Sequence, residues 1–143
     1  EESFVEGQLN TSLLASIVFS NSKQLEILNA LVHPYVKRDF SQWISSLPST
    51  VPYAIQEAAI LFETGSYQQF DRMILVTAPQ EIRLQRTIQR DNSSETLVKE
   101  RMSRQWNDER KIELTVYVIE NIDLEDTKCQ VDTIHLALME EFQ

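Results

Sequence analysis

Glycine is scarce in this sequence: Gly7 and Gly65 are the only two glycines among its 143 residues. Loops that wrap phosphate groups in backbone N–H groups need several glycines at fixed spacing, as in G-x-x-x-x-G-K-[ST] or G-x-G-x-x-G. Neither pattern occurs here. These residues by themselves therefore lack the main anion cradle of phosphoryl-transfer enzymes.

Cysteine and long apolar runs are equally rare. The single cysteine, Cys129, excludes an internal disulfide framework and makes the cytoplasm the expected compartment. No apolar run approaches the ~20 residues of a membrane-spanning helix, so we expect no membrane partner. The start, Glu1-Glu2-Ser3-Phe4, has no initiator Met and does not resemble a signal peptide, so we expect a piece of a longer protein.

Positive charge is in short supply overall but is concentrated in one segment. The formal net charge of −9 argues against nucleic acid as the main partner. Residues 83–111 nevertheless hold eight basic and five acidic side chains. This local excess suits a small anionic ligand that is held by pairing and geometry. A solvated helix face with i, i+4 ion pairs explains the same charges equally well.

The apolar spacing predicts two helices in the first third of the chain. Asn10 is a plausible N-cap for the first helix, and a second begins near Asn21 and extends to about Leu47. Proline disrupts a helix interior, so we expect a break or kink at His33–Pro34. His33 could donate to a ligand there, but capping the end of the preceding helix is the favoured interpretation.

The remaining residues alternate between short apolar runs and helical patterns. The predicted strands are residues 53–62, 72–78 and 115–120, of which the first two are apolar enough to be buried on both faces. Pro79 marks position N1 of a helix to about Arg90, Asn92 or Ser93 caps another, and Asp123 caps the last. This alternation predicts an α/β fold with a parallel sheet and flanking helices.

Three arginines and one glutamate are the first candidates for a site. Arg83, Arg86 and Arg90 share one side of a helix that follows a buried strand, where phosphates could be bound, although exposed arginines on helices are common. The break after Arg90 fits a lid or a plain helical hairpin. Glu63 could orient a substrate hydroxyl, reach a metal through water, or be an ordinary loop residue.

Six short motifs along the chain can be compared, in their order and spacing, with those of known families. They are Glu6-Gly7-Gln8-Leu9 with Leu14-Ala15-x-Ile17-Val18-Phe19, Leu28-Asn29-Ala30-Leu31-Val32-His33-Pro34, Ile60-Leu61-Phe62-Glu63, Arg86-x-x-x-Arg90-Asp91, Gln105, and Val118-Ile119-x-Asn121. Their order, and approximately their spacing, resemble those of the motifs in the dephospho-CoA kinase family. Members of this family are P-loop kinases of the nucleoside monophosphate kinase type. Each motif is weak by itself, and the resemblance covers essentially the whole chain.

The resemblance implies a fold and a reaction. The fold would be a P-loop kinase-like parallel sheet in a single domain over residues 1–143, with a helical substrate region at 10–48 and a lid at 91–112. The reaction would transfer the γ-phosphoryl group of ATP to the ribose 3′-hydroxyl of dephospho-CoA, with Mg²⁺, in the last step of coenzyme A biosynthesis.

The resemblance also implies roles for individual residues, none of them a metal ligand. Arg86 would stabilise transition-state charge, and both Arg86 and Arg90 would face the ATP phosphates. The other implied positions are Asn121 beside the adenine, His33, Pro34 and Glu63 at the CoA-type substrate, and Arg101 and Gln105 in the lid.

Several departures from the family pattern leave alternatives open. Thr11 stands where the family usually has Arg, Ala59 replaces a proline, and Asp123 stands where Gly is frequent. We expect the family's first strand and P-loop upstream of Glu1, so this chain alone is expected to be inactive. Another small-metabolite kinase of the same fold is one alternative. A non-catalytic module that binds a nucleotide or a partner is the other, and the missing loop favours it.

Overall fold

The computed structural model describes residues 3–5 and 7–142, which divide into two compact units between Val51 and Pro52. Glu6, part of the first motif, lies outside the described residues, as does the side chain of Phe19. Within those ranges no helix combines the length and the apolar composition that crossing a bilayer requires.

The first unit opens with a short antiparallel pair that the sequence pattern did not predict. Strands β1 (Phe4–Val5) and β2 (Gln8–Leu9) pair with Phe4 opposite Leu9. The turn between them places Gly7 at a φ of +80°, a backbone conformation that costs glycine little because it lacks a Cβ. Two-residue strands give no alternating pattern long enough to recognise, which explains why the pair was missed.

Two capped helices make up the rest of this unit. In α1 (Thr11–Ser20) the side chain of Asn10 accepts a hydrogen bond from the Leu13 N–H at 3.1 Å. Asn21 caps α2 (Ser22–Ser46) in the same way, accepting from two N–H groups of its first turn. Both predicted N-terminal boundaries are confirmed, because short polar side chains at these positions satisfy donors that the helix leaves free.

Helix α2 continues through Pro34, so the predicted break at His33–Pro34 is wrong. Proline lacks the N–H that would bond to the carbonyl group of Ala30, four residues earlier. Ala30 is exposed, so water can satisfy that carbonyl group. His33 therefore lies inside a helix and does not cap the end of one.

The second unit is built on a parallel pair of strands, β3 (Ile74–Thr77) and β4 (Tyr117–Glu120). Ile74 lies opposite Tyr117 in this register, and Thr77 lies opposite Glu120. The Asn121 N–H extends the ladder by donating to the Thr77 carbonyl oxygen at 2.7 Å. Both strands are shorter than predicted, but their existence and the parallel α/β arrangement are confirmed.

Four helices flank this pair: α3 (Gln80–Asp91), α4 (Glu95–Ser103), α5 (Asp108–Ile112) and α6 (Leu124–Glu141). Asp123 caps α6 as predicted, accepting from two N–H groups of its first turn. Pro79 is the N-cap of α3 rather than its N1 residue, and Ser94 caps α4 rather than Asn92 or Ser93. Asn92 instead ends α3 in the left-handed region. Shifts of one or two residues are usual at helix ends, where a pattern of residue types does not fix the boundary.

The core of the second unit lies on both faces of the two strands. One cluster of buried side chains consists of Phe62, Met73 and Leu75. The other consists of Ile119 of β4 with Ile134 and Leu138 of α6. Neighbouring residues of a strand point to opposite faces, which explains how one short strand pair can serve two clusters.

Residues 53–62, predicted as a strand buried on both faces, form no strand. An extended segment needs a hydrogen-bonded neighbour, and among the described residues β3 pairs with β4 alone. Side chains hold the segment instead: Tyr53 bonds to His135 of α6, and Phe62 is buried. Ile60, by contrast, is exposed. The apolar run indicated burial at one end of the segment, but it carried no information about backbone pairing.

The Asp123 cap gives a first test of this description. We expect Asp123→Ala to lower the free energy of unfolding by about 1 kcal/mol, because two N–H groups at the start of α6 lose their acceptor. Asp132→Ala removes an exposed carboxylate from the same helix and should change stability by less than about 0.5 kcal/mol. Urea unfolding followed by circular dichroism measures both, and equal losses would contradict the capping role.

Candidate functional site

The carboxyl ends of β3 and β4 form the natural place for a ligand site in the second unit. Their parallel pairing places Thr77 and Asn121 side by side. In open α/β sheets, ligands bind in the crevice beyond these strand ends. Helix α3 begins directly after β3 and carries the three candidate arginines along one side. Arg83 therefore lies one turn from the end of β3, whereas Arg90 lies in the last turn of α3.

Arg86 is joined directly to the segment that follows β4. Its guanidinium group donates to the carbonyl oxygens of Asn121 at 2.7 Å and Ile122 at 3.0 Å. A longer contact of 3.4 Å reaches the Asn121 side-chain oxygen. We call Arg86, Asn121 and Ile122 the arginine clamp. It brings together two residues that the sequence singled out separately, and it fixes a positive charge beside the loop after β4.

Arg90 and Arg101 both contact Asp91, at the end of α3. The Arg90 Nε atom lies 2.8 Å from the Asp91 carboxylate, and Arg101 approaches the same carboxylate at 3.1 Å from α4. The hydrogen bond from Arg90 holds the pKa of Asp91 below its ordinary value, and Arg101 acts in the same direction. The structure thus pairs these two candidate residues with one acidic side chain that joins α3 to α4.

Arg83, the third arginine, turns toward α5. Its two terminal nitrogens each lie 3.2 Å from an oxygen of Asp108. Thr77 also donates its hydroxyl hydrogen to Asp108, at 2.5 Å. The three arginines share one side of α3 but reach three different partners. They do not converge on a single point in this structure.

Glu63 makes the most buried ion pair among the described residues. Its Oε1 atom lies 2.9 Å from the Nζ atom of Lys111 and accepts the Trp106 N–H at 2.7 Å. The side chains of Glu63 and Lys111 are only 12% and 9% exposed, which sets this pair apart from the solvated pairs elsewhere. Glu63 therefore joins the segment before β3 to α5. Its other oxygen, Oε2, is buried and has no hydrogen-bond partner within the described part of the chain.

Opposing influences act on the pKa of Glu63. Burial alone would raise it, because a low-dielectric surrounding disfavours the charged form. The hydrogen bond from Lys111 and the Trp106 N–H favour the carboxylate, and the net result is a lowered pKa. Glu63 is consequently held ionised, with its charge neutralised by a protein side chain.

Every basic side chain between residues 83 and 111 has a partner. Six form ion pairs: Arg83, Arg90, Lys99, Arg101, Arg104 and Lys111. Arg86 belongs to the arginine clamp, and Arg110 lies over the ring of Trp106. Only two of the ion pairs are the i, i+4 pairs of a solvated helix face. Three of the other four link different elements, while Arg90–Asp91 lies within α3. Much of this charge therefore organises the segment itself.

The other candidate residues occupy simpler surroundings. His33 and Pro34 lie in α2 of the first unit, and both are exposed. Gln105 is half-buried in the turn after α4, where its N–H donates to the Met102 carbonyl oxygen at 3.1 Å. For residues 3–5 and 7–142, no group of three or more His, Cys, Asp or Glu side chains is arranged to hold a metal ion.

Comparison with protein families decides what this arrangement belongs to. Residues 2–126 match the family model described as dephospho-CoA kinase. The chain belongs to the dephospho-CoA kinase family. This confirms the family that the six motifs indicated.

Relatives within the dephospho-CoA kinase family extend well beyond this chain. One from Bacteroides fragilis is 39% identical over 121 residues, which cover 85% of this chain and 58% of the relative. One from Chlorobium chlorochromatii is 37% identical over 117 residues, covering 81% of this chain and 55% of the relative. The chain therefore spans little more than half the length of these family members.

Solved structures support the same fold. A crystal structure from Thermus thermophilus superimposes with a TM-score of 0.83 at 32% identity, covering 95% of this chain and 70% of the other. A dephospho-CoA kinase from Campylobacter jejuni superimposes with a TM-score of 0.64, covering 96% and 70%. At 24% identity the second comparison supports the fold alone.

Three residues that the structure places at the site were missed as site candidates: Thr77, Asp108 and Lys111. Thr77 ends a strand, and Asp108 and Lys111 lie in a run of charges that reads as a solvated surface. Lys111 pairs with Glu63 and Asp108 pairs with Arg83, and both partners are distant in the chain. A local sequence pattern therefore cannot predict these contacts. The one available signal was the position of Thr77 at the carboxyl end of a predicted strand.

Lys111 provides a sharp test of the buried pair. We expect Lys111→Met to lower the free energy of unfolding by about 3 kcal/mol, because the buried Glu63 carboxylate loses its counter-ion. The double variant Glu63→Gln/Lys111→Met should be less destabilised than Lys111→Met, since both charges are then gone. Urea unfolding of the three proteins measures these differences.

Lys128 provides the matched control for that experiment. It pairs with Glu125 on the surface of α6, with both side chains more than half exposed. Lys128→Met should therefore cost no more than about 0.5 kcal/mol. If the two lysine variants lost the same stability, the Glu63–Lys111 pair would not have the buried character described here.

The Glu63 pair also predicts a pH dependence. Because the folded-state pKa of Glu63 lies below its ordinary value of 4.5, the stability it contributes is complete above that pH. It is lost as the pH falls through the lowered pKa. The stability difference between wild type and Glu63→Gln should thus be largest near neutral pH and shrink below pH 4.5. A difference that stayed constant down to pH 3 would contradict this assignment.

Proposed function

We propose that the protein containing this chain is an ATP-dependent dephospho-CoA kinase. It would transfer the γ-phosphoryl group of ATP to the ribose 3′-hydroxyl of dephospho-CoA. The observation that carries the proposal is the arginine clamp: Arg86 and Asn121 are distant in sequence and in direct contact beyond the sheet ends. Both were implied as ATP-binding residues by the family resemblance.

The arginine clamp suits a nucleotide that spans the carboxyl ends of the strands. We assign Asn121 to the adenine end of ATP, and Arg86 with Arg90 to its phosphates. Phosphoryl transfer asks the protein mainly for positioning and for positive charge near the transferred group. Arg86 is the catalytic candidate because the clamp holds its charge in a defined place.

We assign the CoA-type substrate to His33, Pro34 and Glu63. His33 and Pro34 are exposed on α2 and are therefore accessible to a ligand. Glu63 follows the segment that leads to β3, and Lys111 keeps its carboxylate charged. An ionised carboxylate is a strong acceptor, and the Oε2 atom is the one without a hydrogen-bond partner among the described residues. Because Oε2 is buried, a substrate hydroxyl group would reach it only after neighbouring side chains move.

Residues 91–112 are proposed to act as a lid, with Arg101 and Gln105 among its contributing residues. Asp91 marks one end of this segment, where Arg90 and Arg101 pair with it. A lid of this kind would exclude water during transfer. Mg²⁺ is expected to accompany ATP, since it is commonly held through substrate phosphates. We assign no protein ligand and no step to it.

The cytoplasm is the proposed location. Cys129 is free and exposed, which suits a reducing compartment.

The proposal is tested by incubating the protein containing this chain with ATP, Mg²⁺ and dephospho-CoA. We expect ADP to form together with a product that co-elutes with coenzyme A and is heavier than dephospho-CoA by one phosphoryl group. Transfer to other ribose or alcohol acceptors, tested in parallel, would favour a different small-metabolite kinase. ATP binding without any transfer would favour a binding module and overturn the proposal.

Arg86 tests the site within the same assay. Arg86→Ala should lower kcat at least about a hundredfold, as expected for an arginine that stabilises phosphoryl-transfer charge. Gln85→Ala alters the neighbouring residue on α3, which bonds to Glu81, and should leave kcat within about twofold of wild type. An Arg86→Ala protein with full activity would remove Arg86 from the site.

A further inference from the structure

The carboxyl end of β3 is joined to α5 by a contact that the proposed reaction does not yet use. Thr77 is the last residue of β3, and Asp108 is the first residue of α5. The Thr77 hydroxyl donates to Asp108 Oδ2 at 2.5 Å. A residue from inside the 91–112 region is thus bonded directly to the strand end that faces the proposed ligand.

Asp108 holds Arg83 through the same carboxylate. The two terminal nitrogens of Arg83 reach the two oxygens of Asp108, both at 3.2 Å. Such a two-pronged contact restricts orientation as well as distance. The Arg83 Nε atom is buried and finds no hydrogen-bond partner in the described ranges. Asp108 is therefore the group that compensates this partly buried guanidinium.

The carboxylate consequently joins three elements: β3 through Thr77, α3 through Arg83, and α5 through its own backbone. One turn further along α3, Arg86 forms the arginine clamp. Because Arg83 and Arg86 both lie on α3, a shift of Arg83 would also change the position of Arg86. With its side chain 21% exposed, Asp108 is much less solvated than the surface acids of α4, whose side chains are 57% and 52% exposed.

We infer that Asp108 is a positioning residue that couples the 91–112 region to the carboxyl end of β3 through Thr77 and Arg83. The inference rests on the proposed function, since it concerns the geometry in which that reaction takes place. Asp108 itself touches neither substrate in this assignment. Its loss should let the 91–112 region and α3 depart from the geometry that transfer needs.

The test combines kinetics with hydrogen–deuterium exchange on the protein containing this chain. Asp108→Asn keeps an acceptor for Thr77 but loses the charge that holds Arg83, and Thr77→Val removes only the hydroxyl donor. We expect Asp108→Asn to lower kcat at least about tenfold, with KM for both substrates within about threefold of wild type. Amides of residues 95–112 should exchange about tenfold faster. Thr77→Val should show smaller changes in the same direction.

Glu109→Gln is the matched control, because it neutralises an exposed carboxylate next to Asp108 on the same helix. It should leave kcat and exchange unchanged. If Asp108→Asn and Glu109→Gln behaved alike, or if Asp108→Asn changed KM alone, the positioning role would be overturned. If wild type transferred no phosphoryl group, the proposed function would fail. The exchange data would then decide by themselves whether Asp108 holds the 91–112 region.

Discussion

The parallel pairing of β3 with β4 is the constraint on which the second unit depends. It places Thr77 and Asn121 beside each other, and the contacts to Asp108 and to Arg86 start from these two strand ends. Helix α3 leaves from the end of β3 and returns Arg86 to the end of β4. A change of register by one residue would exchange the faces of a strand and separate these partners.

Half of the eight ion pairs among the described residues connect different segments of the chain. Arg83, Arg86 and Arg101 each connect α3 or α4 to another segment, and the Glu63–Lys111 pair connects α5 to the segment before β3. A basic stretch within an acidic protein is thus largely neutralised before any ligand arrives. A phosphate-bearing ligand would contact arginine side chains that are already held in place. The conformational entropy that these side chains lose on binding is therefore smaller.

Much of the fold was predictable wherever local chemistry decides it. Asn10 and Asp123 cap helices as predicted, because a short polar side chain satisfies nearby N–H groups whatever the rest of the chain does. The segment 53–62 was wrongly predicted as a strand because pairing depends on a distant neighbour. Asn121 and Arg86 were identified by resemblance, whereas no pattern in the sequence revealed their mutual contact.

The sequence by itself determined the family, the caps of α1 and α6 and the absence of a glycine-rich phosphate loop from these 143 residues. These depend on residue identity and on neighbours within a helical turn or two. Only the tertiary structure decided that Glu63 pairs with Lys111, and that Asp108 joins Thr77 to Arg83. Such contacts join residues that are distant in the chain, and the packing of strands and helices alone determines which of many equivalent charges become neighbours.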